Sequence, residues 1–179
     1  GMNMKNMKDY IKDEQSYIMH TYSRLPIIFE KGSGFKLWDI YGKEYLDFTS
    51  GLGVVNIGHA HPEVAEAIYE QAKQLVHVSN LFYTVPQIEL AKKLTEISFA
   101  DKCFFANSGA EANEGAIKLA RKYAKIKFKD NGLAEKRYEI ISAYKGFHGR
   151  TLATLAATAQ PDKQKYFKPM PAGFKYVEY

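Results

Sequence analysis

Phe105-Ala106-Asn107-Ser108-Gly109-Ala110-Glu111-Ala112-Asn113-Glu114 is the stretch on which the fold turns. A short apolar strand over 102–106 ends there and a long helix over 109–128 begins, which is the basic unit of a parallel α/β sheet. Ser108 is well typed as the N-cap. Ser108 and Glu111 have the S-x-x-E spacing of a capping box, an arrangement that satisfies helix-terminal amides and implies no function. The same geometry also suits an anion, most simply a phosphate. The unpaired amides of Ser108, Gly109 and Ala110, the helix dipole and the Ser108 hydroxyl would all favour it. Gly109 would let a ligand approach the backbone with no Cβ in the way. In open α/β sheets ligands bind beyond the carboxyl ends of strands, where this turn lies. On these residues alone, capping and phosphate binding both stay open.

Working outward, the pattern predicts a strand over 138–143, a helix over 150–158 and a third strand from Phe174 to Val177. Toward the N-terminus, Pro62 opens a helix over about 62–76, with Val64, Ala65, Ile68, Ala72, Leu75 and Val76 at helical spacing. Pro86 opens another over about 86–98, with Ile88, Ala91, Leu94 and Ile97 to bury. Two aromatic-rich runs around Gly42, within Phe35 to Phe48, predict a β-hairpin. Residues 9–22 suit an amphipathic helix that Pro26 stops from continuing. The expected organisation is a small N-terminal lobe over residues 1–61 and, over 62–179, the beginning of a larger α/β domain. A sheet of about three strands would leave an edge open, which points to an incomplete domain.

Composition narrows the class. Of the 179 residues 46% are hydrophobic and 14% aromatic, ample for a core and unlike a disordered chain. No apolar run approaches the ~20 residues needed to cross a bilayer, and no signal pattern opens the chain, so the expectation is a cytoplasmic protein. Gly1 before Met2 reads as a scar of tag removal. The single cysteine, Cys103, lies in an apolar run and reads as a buried structural thiol. The excess positive charge behind the net +5 is concentrated in Lys118, Arg121, Lys122, Lys125, Lys127, Lys129, Lys136 and Arg137, set against only Asp130 and Glu135. With Ile117, Ala120, Ala124 and Phe128 on another face, this describes a solvated helix surface rather than a nucleic-acid site.

A second chemical stretch, Ala143-Tyr144-Lys145-Gly146-Phe147-His148-Gly149-Arg150-Thr151, again follows a strand and precedes a helix. Phe147 offers a flat apolar face to a heteroaromatic ring, and Arg150 a fixed fork to a carboxylate. Taken singly, Phe147 reads better as core and Arg150 as a surface ion-pair partner.

Together these residues carry a resemblance. The segments Thr21-Tyr22-Ser23-Arg24-Leu25-Pro26, Leu37-Trp38-Asp39, Tyr45-Leu46-Asp47-Phe48, Gly58-His59-Ala60-His61-Pro62, Asn107 to Glu114 and Phe147-His148-Gly149-Arg150-Thr151 stand in the order of family motifs. The chain resembles the N-terminal part of a class III, fold-type I aminotransferase dependent on pyridoxal 5'-phosphate, on the acetylornithine branch. The resemblance implies that Ser108, Gly109 and Ala110 bind the cofactor's phosphate, that Phe147 stacks on its ring, and that Arg150 grips the substrate α-carboxylate. It implies a two-lobed subunit in a homodimer that exchanges N2-acetylornithine and 2-oxoglutarate for glutamate in arginine biosynthesis. Ornithine aminotransferases carry a tyrosine where this chain has Leu52, and an apolar residue suits a masked amine better. Ornithine, succinylornithine and 4-aminobutyrate transaminases are the alternatives within the class, and a non-catalytic phosphate-binding module is the alternative outside it. The Schiff-base lysine is expected beyond residue 179, so no catalytic residue is assigned here.

Three motifs are set aside. Gly51-Leu52-Gly53 begins a dinucleotide pattern, but Asn56 stands where G-x-G-x-x-G needs glycine. His59 and His61 lack further ligands for a metal and are expected to shape the turn before Pro62. Lys145 occupies a loop position in the family and is not taken as a substitute for the cofactor lysine.

Overall fold

The structure, a computed structural model, describes residues 5–179. The chain separates into two units, one ending at Phe82 and one formed by Tyr83–Tyr179.

The first unit opens with α1 (Met7–Tyr17), which begins at a full capping box. The Asn6 side chain accepts from the Asp9 amide at 3.0 Å and the Asp9 carboxylate accepts from the Asn6 amide at 3.3 Å. The helix stops at Tyr17 rather than near residue 22. It buries no side chain, and without packing a helix this short has little to extend it.

The expected hairpin is present as β2 (Lys36–Asp39) and β3 (Glu44–Leu46), antiparallel with Leu37 opposite Tyr45. Asp39 closes its turn. The carboxylate accepts from the amides of Tyr41 and Lys43 at 2.9 and 3.0 Å and from the Tyr45 hydroxyl at 3.1 Å. Burial alone would raise its pKa, but the Lys43 and Tyr41 amides and the Tyr45 hydroxyl outweigh that and hold it below the ordinary carboxylate value. A strand that the sequence pattern did not reveal, β1 (Phe29–Ser33), pairs antiparallel with β2, with a register shift between Phe29 and Lys31. Alternation is absent from Phe29-Glu30-Lys31-Gly32-Ser33, and four of its five residues are exposed.

After the sheet comes a single helical turn, α2 (Ser50–Gly53), whose four residues all have positive φ: 48°, 62°, 62° and 80°. Left-handed backbone costs a residue with a Cβ about 1–2 kcal/mol. Glycine meets that at two of the four positions, and Ser50 and Leu52 bear it at the others. The unit's last helix is α3 (Pro62–Gln74), with Pro62 at the first turn as expected.

The second unit contains α4 (Val85–Glu96), α5 (Gly109–Lys127), β4 (Ile140–Ala143), α6 (Leu152–Ala157), α7 (Pro161–Gln164) and β5 (Phe174–Val177). β4 and β5 pair in parallel, Ile140 opposite Phe174 and Ala143 opposite Val177, giving the expected α/β architecture. Residues 102–106 correct the sequence reading, because no strand pairs with them. An apolar run shows a tendency to be covered, but a strand also needs a neighbour, and among the described residues it has none. The segment is docked instead through Phe104, whose ring lies over Gly115; a Cβ there would stand 3.0 Å from it.

Helices α3 and α4 form where periodicity predicts them, yet neither buries a residue: Ile68 is 64% exposed and Ile88 51%. The pattern selects the apolar face but does not provide what covers it. On α5 the packed side runs through Ile117 and Ala124, with Arg121 between them and Ala120 exposed. Arg121 replaces Ala120 in the expected stripe because its long stem reaches inward. The guanidinium donates to the Ala172 carbonyl at 2.9 Å and lies over the rings of Tyr138 and Phe174. Cys103 is half-buried rather than buried.

The buried heart of this unit is α6 and the residues that follow, where Thr154, Leu155, Ala156, Ala157, Thr158 and Ala159 are all enclosed. Its last carbonyls are met by side chains. Gln164 donates to the carbonyls of Leu155 and Thr158, the Tyr176 hydroxyl to Ala156, and Ser142 to Ala157.

Candidate functional site

The N-terminus of α5 is built as the sequence predicts, with one change. Ser108 is the N-cap, in extended conformation, and its Oγ accepts from the Glu111 amide at 3.1 Å. The return half of the capping box is shifted by one residue: the Glu111 carboxylate accepts from the Asn107 amide at 2.7 Å, not from Ser108. The amides of Ser108, Gly109 and Ala110 therefore have no protein acceptor among the described residues. A Cβ built on Gly109 would meet nothing within 4 Å. Three unpaired donors at the positive end of a 19-residue helix, with an open glycine between them, fit a phosphate group well. The Ser108 hydroxyl uses a lone pair for the cap and keeps its hydrogen to donate.

The loop that leaves β4 is pressed against this helix end. Gly149 has φ 132°, and a Cβ there would stand 2.7 Å from Ala110 Cβ and 2.9 Å from Ala110 Cα. Only a residue without a side chain lets the loop come so close to the cradle. Asn113 Nδ2 donates to the His148 carbonyl at 2.8 Å, the His148 amide donates to Thr158 Oγ1 at 3.0 Å, and Gln160 Nε2 donates to the Gly146 carbonyl at 2.9 Å. Thr151 caps α6 and also reaches α5, donating to Glu114 Oε1.

Phe147 and Arg150 thus stand beside the cradle, and they touch each other. The Arg150 guanidinium lies 5.0 Å from the centroid of the Phe147 ring, and the ring remains 63% exposed. Among the described residues Arg150 has no carboxylate partner, so it is neither a surface ion pair nor, with Phe147, part of the core. Lys145 lies in the same loop with φ 62°. The sequence reading missed Asn113, Glu114, Gly149 and Thr151 as parts of this arrangement. The available signal was the pair of polar residues one turn inside a cap, matched by a second strand-to-helix turn that contains glycine.

Leu52 belongs to the other unit. It sits on the left-handed turn α2 and is 93% exposed. Asp47 braces that turn: one carboxylate oxygen accepts from the amides of Thr49 and Ser50 and from the Thr49 hydroxyl, and the other meets His59 Nε2 at 2.5 Å. The His59 contact first, and then the Thr49 amide, hold the Asp47 carboxyl well below the usual carboxylate range against the opposing effect of burial. His59 also pairs with Gly34 as an isolated bridge, and the described residues contain no cluster of three metal-ligating side chains.

The chain has known relatives. A curated acetylornithine aminotransferase of Methanocaldococcus jannaschii is 54% identical over 97% of this chain and 42% of its own length. An acetylornithine aminotransferase structure from Elizabethkingia anophelis is 34% identical, with a TM-score of 0.76 over 98% of this chain and 39% of its own. A Toxoplasma gondii ornithine aminotransferase structure, described as showing partial occupancy of PLP at the active site, is 29% identical. Its TM-score is 0.90 over 100% of this chain and 41% of its own. The chain spans about 40% of the length of the curated relatives it matches. Since residues 17–179 match the family model for aminotransferase class III, and relatives about half identical run through nearly all of it, the chain belongs to the class-III aminotransferases.

Proposed function

We propose that the end of α5 holds the phosphate of pyridoxal 5'-phosphate through Ser108, Gly109 and Ala110, with Phe147 against the ring and Arg150 on a substrate carboxylate. The whole protein, in this reading, transfers the δ-amino group of N2-acetylornithine to 2-oxoglutarate, giving N-acetylglutamate semialdehyde and glutamate. The observation that carries it is the packing of Gly149 on Ala110, which gathers a phosphate-type cradle, an exposed aromatic face and an unpaired guanidinium at one corner of one unit. When bound, the cofactor supplies the electron sink for amino exchange. The residues of this chain bind, orient and charge-match. The lysine for the covalent link is assigned to the remainder of the protein, so the 179-residue chain alone is expected to give no turnover.

The names of the curated relatives support N2-acetylornithine as donor. Within the family resemblance, leucine at position 52 in place of the tyrosine of ornithine aminotransferases also supports an amide-masked amine over a free ammonium. A homodimer, a cytoplasmic setting and a place in arginine biosynthesis belong to the same reading. No helix among the described residues is long and apolar enough to cross a membrane.

The test uses the whole protein with 2-oxoglutarate and four donors: N2-acetylornithine, ornithine, succinylornithine and 4-aminobutyrate. The expected result is the highest kcat/KM with N2-acetylornithine and a yellow cofactor that borohydride fixes in place. A higher value with another donor would replace the donor assignment. Absence of both amino transfer and bound cofactor would overturn the site assignment as well.

A further inference from the structure

We propose that Glu114, with Asn113, is a positioning residue that sets the register between the phosphate cradle and Arg150; the inference rests on the reading of Arg150 as the carboxylate clamp. Among the described residues Arg150 has no carboxylate partner and no side-chain hydrogen bond, and its guanidinium lies over the Phe147 ring. Its place is therefore decided by its backbone. On either side of it the chain is tied to α5: two residues before, the His148 carbonyl accepts from Asn113 Nδ2 at 2.8 Å, and one residue after, the Thr151 side-chain hydroxyl donates to Glu114 Oε1 at 2.5 Å. Between the ties, Gly149 lies on Ala110.

The cradle and both ties sit on the same helix. Gly109 and Glu114 are separated by a helical rise of roughly 7.5 Å, a spacing that the backbone hydrogen bonds of α5 hold fixed. A loop fastened at residues 113 and 114 is thus held at a set distance from the amides of residues 108–110.

The hydroxyl network gives Glu114 the larger part. The Thr151 amide donates to Thr154 Oγ1 at 3.0 Å, and the two threonine hydroxyls are 2.7 Å apart. The single hydroxyl hydrogen of Thr151 goes to the Glu114 carboxylate, so Thr154 supplies the hydrogen between the two hydroxyls. Thr154 is fully buried and lies in the first turn of α6. The strap thus runs from α5 through Thr151 into the most enclosed helix of the unit. A charged acceptor at its open end makes this the stronger of the two ties.

The experiment uses the full-length, cofactor-loaded enzyme. Glu114→Ala and Thr151→Val should each raise KM for the amino donor and for 2-oxoglutarate by roughly tenfold, the effect of one hydrogen bond to a charged group. Cofactor affinity and kcat should stay near wild type. Glu114→Gln keeps an oxygen acceptor and Thr151→Ser keeps the donor, so both should restore KM, and the Glu114→Ala/Thr151→Val double variant should be no worse than either single one. Thr151→Val keeps the side-chain shape and decides the matter if Glu114→Ala does not fold. Wild-type KM in Thr151→Val, or a KM rise matched by equal losses of kcat and cofactor affinity, would overturn the proposal. Arg150→Ala separates the two levels. If it raises KM while Thr151→Val does not, the strap is wrong and the clamp stands; if it leaves both KM values unchanged, the clamp and the strap fall together.

Discussion

Gly149 packs on Ala110, the neighbour of Gly109, and the same substitution should have opposite effects at the two glycines. At Gly149 the backbone has φ 132°, and an added Cβ would stand 2.6 Å from Thr154 Oγ1 and 2.7 Å from Ala110 Cβ. Neither neighbour can give way. Thr154 is fully buried with its hydroxyl bonded to Thr151, and Ala110 is backbone-fixed in the first turn of α5. The unfavourable φ costs roughly 1–3 kcal/mol and the overpacking about 1–3 kcal/mol. Gly149→Ala should thus destabilise the full-length protein by about 2–6 kcal/mol, a large share of a typical total of about 5–15 kcal/mol. It should also weaken cofactor binding, because relief requires the loop and the cradle to part. At Gly109 a Cβ would meet nothing, and the residue is the first of the helix. Gly109→Ala should leave stability unchanged or raise it by about 0.4–1 kcal/mol through the unfolded state. Its methyl would stand where the phosphate must approach, so cofactor affinity should fall. The assay is a pair of measurements on each variant: the denaturant midpoint and the cofactor dissociation constant. A wild-type midpoint for Gly149→Ala, or a lowered midpoint with intact affinity for Gly109→Ala, would refute the close approach on which the site rests.

Three further expectations follow from the same geometry. Ser108→Ala should weaken cofactor retention by roughly 1–3 kcal/mol and cost helix stability ~1 kcal/mol; a lower melting temperature with unchanged affinity would reduce Ser108 to a cap. Arg150→Ala should lower kcat/KM by roughly 2–5 kcal/mol in both half-reactions with little loss of cofactor, and Arg150→Lys should keep the charge but lose the two-point orientation. Stopped-flow half-reactions that show only one substrate affected would contradict a shared clamp. The Asp47 carboxyl lies below its ordinary value of 3.8 in the folded state, so its contribution is complete above about pH 4 and is lost as pH falls below that value. Asp47→Asn, which can still accept from the Thr49 and Ser50 amides, should flatten the acid limb of stability, measured as melting temperature from pH 6 down to pH 3.

Much of this arrangement could be read from the sequence because local chemistry decided it. The Ser108 cap, the proline starts of α3 and α4 and the turn at Gly42 depend on residues within a few positions of one another. The failures share a different cause. Residues 102–106 have the apolar composition of a strand, but pairing is a property of a neighbour, and periodicity in α3 and α4 marks a face without showing its cover. β1 was missed because its residues show no alternation, and its presence is due to β2. In the candidate site, the groups that would touch a ligand were legible, whereas the groups that hold them were not. Asn113 and Glu114 read as ordinary polar helix positions until the fold brings His148 and Thr151 to them across 35 and 37 residues of sequence.

That division has a physical basis in how the mount of Arg150 is made. α6 is only six residues long, and it is fixed less by bulky apolar contacts than by side chains that satisfy its carbonyls: Ser142 from β4, Tyr176 from β5 and Gln164 from α7. Small residues such as Ala156 and Ala157 make this possible, since they let those donors reach a backbone that larger side chains would shield. A hydrogen bond has a required direction and length, whereas apolar packing tolerates sliding, so a helix held this way has one position along its axis. Thr151, its N-cap, inherits that position, and Arg150 is the next residue back along the chain. The strands therefore set α6, α6 sets Thr151, and Thr151 with Glu114 sets the loop against the cradle. A site of the proposed kind, with a ring platform, an anion cradle and a guanidinium held in fixed relation, needs such a directional chain of support, and a stretch of Leu, Ala and Thr that reads as a plain helix is the sequence form it takes here.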